Sequence, residues 1–280
     1  MIKIPHESKG KELTDFLVAN KSELIQQKCA FPIKSEPNQF PYELIKRTKA
    51  NASKAEGQGD SVDLTTLDVT CIGNSANWID SQLDMLLPDC WKKTIKERGT
   101  SGKIYHLRDH KQSTEGIIGK PSAFYSKDYS LAELGLEGFY GNTQCLVMDS
   151  TLMESLDEKL FALYSNKMIK QHSIGMQYVK LDLAINDPNS PDEFAVWNKY
   201  FAQAINKDVA TQCGYFWVVY EIKLLEVSAV LWGANELTPT IESENKSEPL
   251  KDTQKNNEPP ISTQKSFTEM LGEIENIVKL

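Results

Sequence analysis

The stretch Gln171–Ile185, "QHSIGMQYVKLDLAI", alternates apolar and polar side chains and reads as one long strand rather than a helix. The neighbouring segments extend the pattern. Downstream, "SPDEFAVWNKYFAQAINKD" carries Phe194, Trp197, Phe201 and Ile205 on one helical face behind Ser190 and Pro191 as start signals. It is followed by "GYFWVVYEIKLLEVSAVLWGAN", a long β-rich run that predicts two strands or one sharply bent one. Upstream, "SLDEKLFALYSNKMI" places Leu156, Leu160, Leu163 and Tyr164 on one side of a helix. "TQCLVMD", "SAFYS", "GKIYHLRDH" and "VDLTTLDVTCIG" are further strand candidates, and "LPDCWKKTIKER" is a short helix with Trp91 and Ile95 four apart. Strict β-α-β alternation and a glycine-rich phosphate loop are both missing. The expected fold class is therefore α+β: a mostly antiparallel or mixed sheet closing into a barrel, with helices outside.

The flanks differ from this domain, which is expected over residues 61–236. Residues 1–60 form an accessory segment, an amphipathic helix with Leu13, Phe16, Leu17, Leu24 and Ile25 at helical spacing, then the polar link "NASKAEGQGDS". Residues 237–265 have few apolar side chains, so disorder is expected there. Residues 266–280, "SFTEMLGEIENIVKL", return to a helical stripe with Ser266 and Glu269 as a capping box, and suit a docking helix on a flexible tether.

Bulk properties exclude several classes. With 31 Lys and Arg against 39 Asp and Glu, the net charge is −8, which argues against a nucleic-acid binder. No apolar run approaches the roughly 18–20 residues of a membrane span, and "MIKIPHESKGKEL" lacks the apolar core of a secretory signal. Five scattered cysteines without a CxxC pair suit neither a disulfide framework nor a zinc site, and read as reduced thiols in a cytosol-like compartment.

Three stretches carry residues suited to chemistry. His106 and His110 in "HLRDHKQSTEGIIGK" lie four apart, which on a strand puts them on one side. A shared zinc lacks a third ligand and would sit beside Arg108. Two half-exposed polar histidines are the plain alternative. Ser173 offers a hydroxyl beside Gly175, where the backbone is open, and its neighbour His172 faces the other way on a strand. Glu226 is an acid inside an apolar strand, where it needs a partner: a histidine that becomes protonated, or a Lys or Arg. Glu221 is the competing acid.

Four motifs in order, "IDSQLDMLLPDCWKKTIKER", "HLRDHKQSTEGIIGKP", "HSIGMQYVK" and "LLEVSAVLWGAN", resemble those of the tailed-phage prohead protease family over roughly residues 62–240. The resemblance implies a fold like that of the herpesvirus assemblin proteases, a β-barrel wrapped by helices and often dimeric. It also implies a serine endopeptidase that cuts scaffold and major capsid protein segments inside the immature shell, in the host cytoplasm, and that cuts itself. By motif, His110 matches the catalytic histidine, Ser173 the nucleophile and Glu226 the third member. Such chemistry needs neither cofactor nor metal. The oxyanion donors would be backbone amides, with the Gly116–Gly119 loop as candidate. The long loop after His110 and the helical segment 186–213 depart from the family pattern. The alternative from another class is a scaffolding or assembly protein that keeps the barrel without turnover, and a zinc hydrolase built on His106 and His110 is a third reading.

Overall fold

A computed structural model of the chain describes residues 2–5, 10–30, 33–34 and 66–244, all within one unit spanning Met1–Ser247. In chain order the elements are α1 (Gly10–Ala30), β1 (Ile33–Lys34), β2 (Thr66–Ser75), β3 (Asp84–Leu86), α2 (Lys92–Arg98), β4 (Tyr105–Arg108), β5 (Ile117–Ser130), β6 (Asn142–Met153), α3 (Glu158–Ser165), β7 (Gln171–Ile185), α4 (Pro191–Tyr200), α5 (Lys207–Cys213), β8 (Tyr215–Val230) and β9 (Thr240–Glu244). The strands form one mixed sheet in the order β1-β7-β8-β4-β5-β6-β2-β9, with β3 also paired to β8. β3 and β4 run parallel to β8, and the remaining pairs are antiparallel.

The long alternating stretch is a single strand with the expected ends, and the run after α5 is likewise one strand rather than two. β7 and β8 pair from Gln171↔Val230 to Ile185↔Tyr215, with register shifts that bend the ribbon. The helical excursion between them is α4, a 3₁₀ turn at Phe201–Gln203, and α5, so the predicted single helix ends earlier than its apolar stripe.

The sheet rolls over on itself. Cys71 of β2, Leu146 and Met148 of β6, Ile174 of β7 and Val227 of β8 share one buried core. A Cβ added to Gly73 on β2 would stand 3.2 Å from Val227 and 3.3 Å from Ile174, so opposite ends of the sheet touch there. The expected closed barrel is nevertheless not a closed ladder among the described residues: the path ends at β1 on one side and β9 on the other. The join between β7 and β2 runs through the segment before β9, with one main-chain hydrogen bond to each strand. His172 N–H donates to Thr238 O at 3.0 Å, and Ile72 N–H donates to Pro239 O at 3.0 Å. Pro239 has no N–H to return, so no regular ladder continues through it.

That segment also corrects the expected start of the disordered linker. Leu237 and Thr238 are buried, and β9 pairs with β2 from Asp68↔Glu244 to Cys71↔Thr240. Leu237 and Ile241, packed into a satellite core, supply the apolar anchors in an otherwise polar stretch. The rest of the linker, the helix expected over 266–280 and the link after β1 lie outside the described residues.

Helix α1 packs on the main core rather than standing apart, with Leu17 and Leu24 buried. Lys21 pairs with Asp182 and Glu193, both at 2.9 Å, and Lys28 with buried Asp84 at 2.7 Å. Burial of one such leucine is worth about 1.5–3 kcal/mol, more than an ordinary exposed ion pair at ~0–1 kcal/mol. Trp91, expected within a helix, caps α2 instead. It is fully buried and donates its indole N–H to Ser126 Oγ at 2.9 Å. No described helix is long and apolar enough to cross a membrane, and all five cysteines are free thiols.

Candidate functional site: a buried histidine–carboxylate pair beside Ser173

β4 ends at Arg108, and Asp109 and His110 follow with φ of 47° and 53°. Left-handed backbone at two successive non-glycine residues is costly and is held here by its surroundings. Asp109 N–H donates to Ala229 O at 3.0 Å, and His110 N–H donates to Ser228 Oγ at 3.2 Å. This turn throws His110 to the face of the sheet opposite His106. The two histidines therefore do not meet, and the zinc pair read from their spacing is excluded by geometry. Arg108, which that reading placed beside the metal, pairs with Asp157.

His110 Nδ1 lies 2.6 Å from Glu226 Oε1, with both side chains buried. Ser228 Oγ donates to the other carboxylate oxygen, Oε2, at 2.7 Å. Glu226 thus has a hydrogen-bond donor on each oxygen, which offsets the cost of burying its charge. With Nδ1–H directed at Glu226, the neutral ring keeps its lone pair on Nε2. That nitrogen is buried and has no hydrogen-bond partner among the described residues. An unpartnered buried nitrogen on an otherwise satisfied imidazole is uncommon.

Ser173 of β7 is paired directly opposite Ser228 of β8, and Gly175 opposite Glu226. Paired residues of an antiparallel ladder share a face, with Cβ atoms ~4.5–5.5 Å apart. Ser173 therefore lies on the face that carries Ser228, Glu226 and His110. Gly175 has its own reason to be glycine: a Cβ there would overlap Glu226 Oε1 and stand 2.7 Å from Cδ and 2.8 Å from Cγ. The competing acid, Glu221, is elsewhere, paired with Lys93 at 2.8 Å. The Gly116–Gly119 stretch is not the expected open loop. Gly119 lies inside β5, paired to His106 on one side and Leu152 on the other.

The reverse face of the same strands holds a second polar cluster that the sequence reading did not assemble. Ser150 Oγ and His106 Nδ1 are 3.0 Å apart, His106 Nε2 and Tyr164 Oη 3.3 Å, Tyr164 Oη and His172 Nε2 2.9 Å, and His172 Nδ1 and Thr238 O 3.2 Å. One assignment satisfies every link: Ser150 donates to His106, His106 to Tyr164, Tyr164 to His172 and His172 to Thr238. The donor atoms of Cys71, His106 and His172 lie within 4.8 Å of one another. The Tyr164 hydroxyl occupies the space between the two imidazoles, and the ring nitrogens are already spent on hydrogen bonds. The cluster is a closed polar network in the core.

Burial, and for His106 also the neighbouring His172, holds both imidazoles below their ordinary range; His172 is pushed down to about 4. The folded state thus keeps His172 neutral where the unfolded chain, with a pKa near 6.5, takes up a proton. Its stabilising share is complete above pH ~6.5 and is lost as pH falls toward 4, about 3 kcal/mol over the window. Stability measured by urea unfolding at both ends of that window should fall more in wild type than in His172→Gln by about this amount. Parallel pH profiles for the two proteins would contradict it.

No family model, curated protein or solved structure matches this chain.

Proposed function

We propose that the protein is a serine endopeptidase of the prohead-protease type, acting on scaffold and major capsid protein segments in the host cytoplasm, inside the immature viral shell. The barrel-like roll of its sheet and a homodimeric state belong to the same reading. One observation carries it: a buried imidazole bound through Nδ1 to a buried carboxylate, with Nε2 unpartnered among the described residues, on the face of the sheet that bears Ser173.

In this mechanism the Ser173 hydroxyl adds to the scissile carbonyl carbon while His110 Nε2 takes its proton. Glu226 holds the ring through Nδ1 and stabilises the imidazolium. Collapse of the tetrahedral species breaks the C–N bond, and His110 gives the proton to the leaving amine. Water then enters by the same relay, releases the new carboxyl end and restores Ser173. Base assistance of this kind is worth about 10²–10⁴ in rate. No exogenous group is required at any step.

Exposure of the full chain to a fluorophosphonate, followed by intact-mass measurement over time, tests the reading. One adduct on wild type and none on Ser173→Ala is expected, with self-cleavage products in the first sample alone. Equal labelling or equal cleavage in both would remove Ser173 as nucleophile. A chain that is never labelled, yet still assembles with scaffold, would favour the non-catalytic assembly protein.

A further inference from the structure

The candidate nucleophile is closed off. Ser173 is 3% exposed, His110 2% and Glu226 1%. An endopeptidase has to admit an extended peptide to its serine, and this conformation does not. The strand that bears Ser173 has β8 along one side. Along its other edge lies β1, antiparallel, with Lys34 opposite Gly175 and Ile33 opposite Met176. Lys34 thus pairs two residues from Ser173 on the same strand.

β1 is only Ile33–Lys34, and it follows closely on α1, which ends at Ala30. That helix is anchored in the core through Leu17 and Leu24, and Gln177 Nε2 of β7 donates to Cys29 O at 3.1 Å in its last turn. A firmly held helix thus delivers a very short strand to the edge beside the candidate serine. An open sheet edge takes up extended peptides by strand addition, with main-chain hydrogen bonds giving affinity. A two-residue ladder is weak on its own, and the tether supplies the local concentration that keeps it in place.

We infer that the edge of β7 beside Ser173 is where an extended peptide substrate docks as an added antiparallel strand, and that the chain's own Ile33–Lys34 occupies this edge in cis and holds the enzyme latent. The inference rests on the peptidase reading. A substrate gains access by displacing β1, and a cut or shift that frees the segment after α1 raises activity without altering Ser173, His110 or Glu226.

The full-length chain and an Ile33→Pro/Lys34→Pro double variant, which loses both N–H groups of β1, provide the test. Two quantities are read: hydrogen-exchange protection of the amides of residues 174–177, and the rate of fluorophosphonate labelling at Ser173. Protection should drop in the variant and labelling should rise about tenfold, the effect of losing one to two ladder bonds of ordinary net worth. A synthetic peptide of residues 31–36, "FPIKSE", added in excess should slow the variant's labelling back toward the wild-type rate. Unchanged protection, or labelling of both proteins at one rate, overturns the inference and leaves the peptidase reading standing. Loss of protection with no labelling of either protein overturns the peptidase reading and this inference with it. Circular dichroism on the variant guards against misfolding, and the peptide arm is repeated on an Ile33→Gly/Lys34→Gly variant, which weakens the strand without proline.

Discussion

A Gly175→Ala variant is expected to lose about 3–5 kcal/mol of stability, the scale of parting a buried carboxylate from the groups that hydrogen-bond it. The methyl group would overlap the carboxylate of Glu226, standing 2.7 Å from Cδ and 2.8 Å from Cγ, so that side chain has to turn away from His110. It then leaves behind the Nδ1–H of His110 and the hydroxyl of Ser228, which it now binds at 2.6 and 2.7 Å. Urea unfolding reads the loss directly. A Gly175→Ala/Glu226→Ala double variant, where the obstructing side chain is gone, should fall short of additivity by about 1–3 kcal/mol. Additive losses would show that the two positions do not press on each other, and the explanation of Gly175 would fail.

Glu226→Gln separates chemistry from folding. The amide keeps the shape of the carboxylate and loses one of its two acceptor oxygens. If its oxygen faces Ser228, its NH₂ faces His110 Nδ1, which must then accept; the ring proton moves to Nε2, and the base is gone. If its oxygen faces Nδ1–H, the NH₂ confronts a Ser228 Oγ that already receives the His110 amide at 3.2 Å. Under the proposed mechanism, labelling and peptide cleavage should drop by about 10⁴, the scale seen when a triad acid becomes an amide. Thermal unfolding should shift far less than in Gly175→Ala. Activity within tenfold of wild type would show that Glu226 holds the sheet together and takes no part in turnover.

Much of this arrangement is legible locally. β7 runs over the residues its alternation marks, and α1 covers the predicted amphipathic stretch. The need of Glu226 for a partner follows from one acid in an apolar strand, and its partner is the histidine His110. Ser228 is missed although its signal is present: at i+2 from Glu226 on a strand, its hydroxyl shares that face. Other features are set by distant residues and leave no local trace. The left-handed turn at Asp109–His110 exists because β8 bonds it in place, so the spacing of His106 and His110 suggested one face where the fold uses two. The parallel pairing of β4 with β8 joins segments more than a hundred residues apart, and no periodicity announces it. The network through His106, Tyr164 and His172 likewise draws on β4, α3 and β7 together. A ladder that stops at a proline-bearing bridge instead of closing depends on which edges meet, which alternation cannot report.

The central place of β8 has a consequence for the newborn protein. Its residues Glu226 and Ser228 fasten His110, while its register with β7 sets Ser173 beside them. All of this arrives after most of the polypeptide has left the ribosome, and pairings so remote in sequence form late. A nascent or truncated copy lacking β8 carries the serine and the histidine with nothing to join them. Under the proposed mechanism, a chain still lacking β8 has no assembled relay, and the order of synthesis itself delays any cutting until β8 has paired.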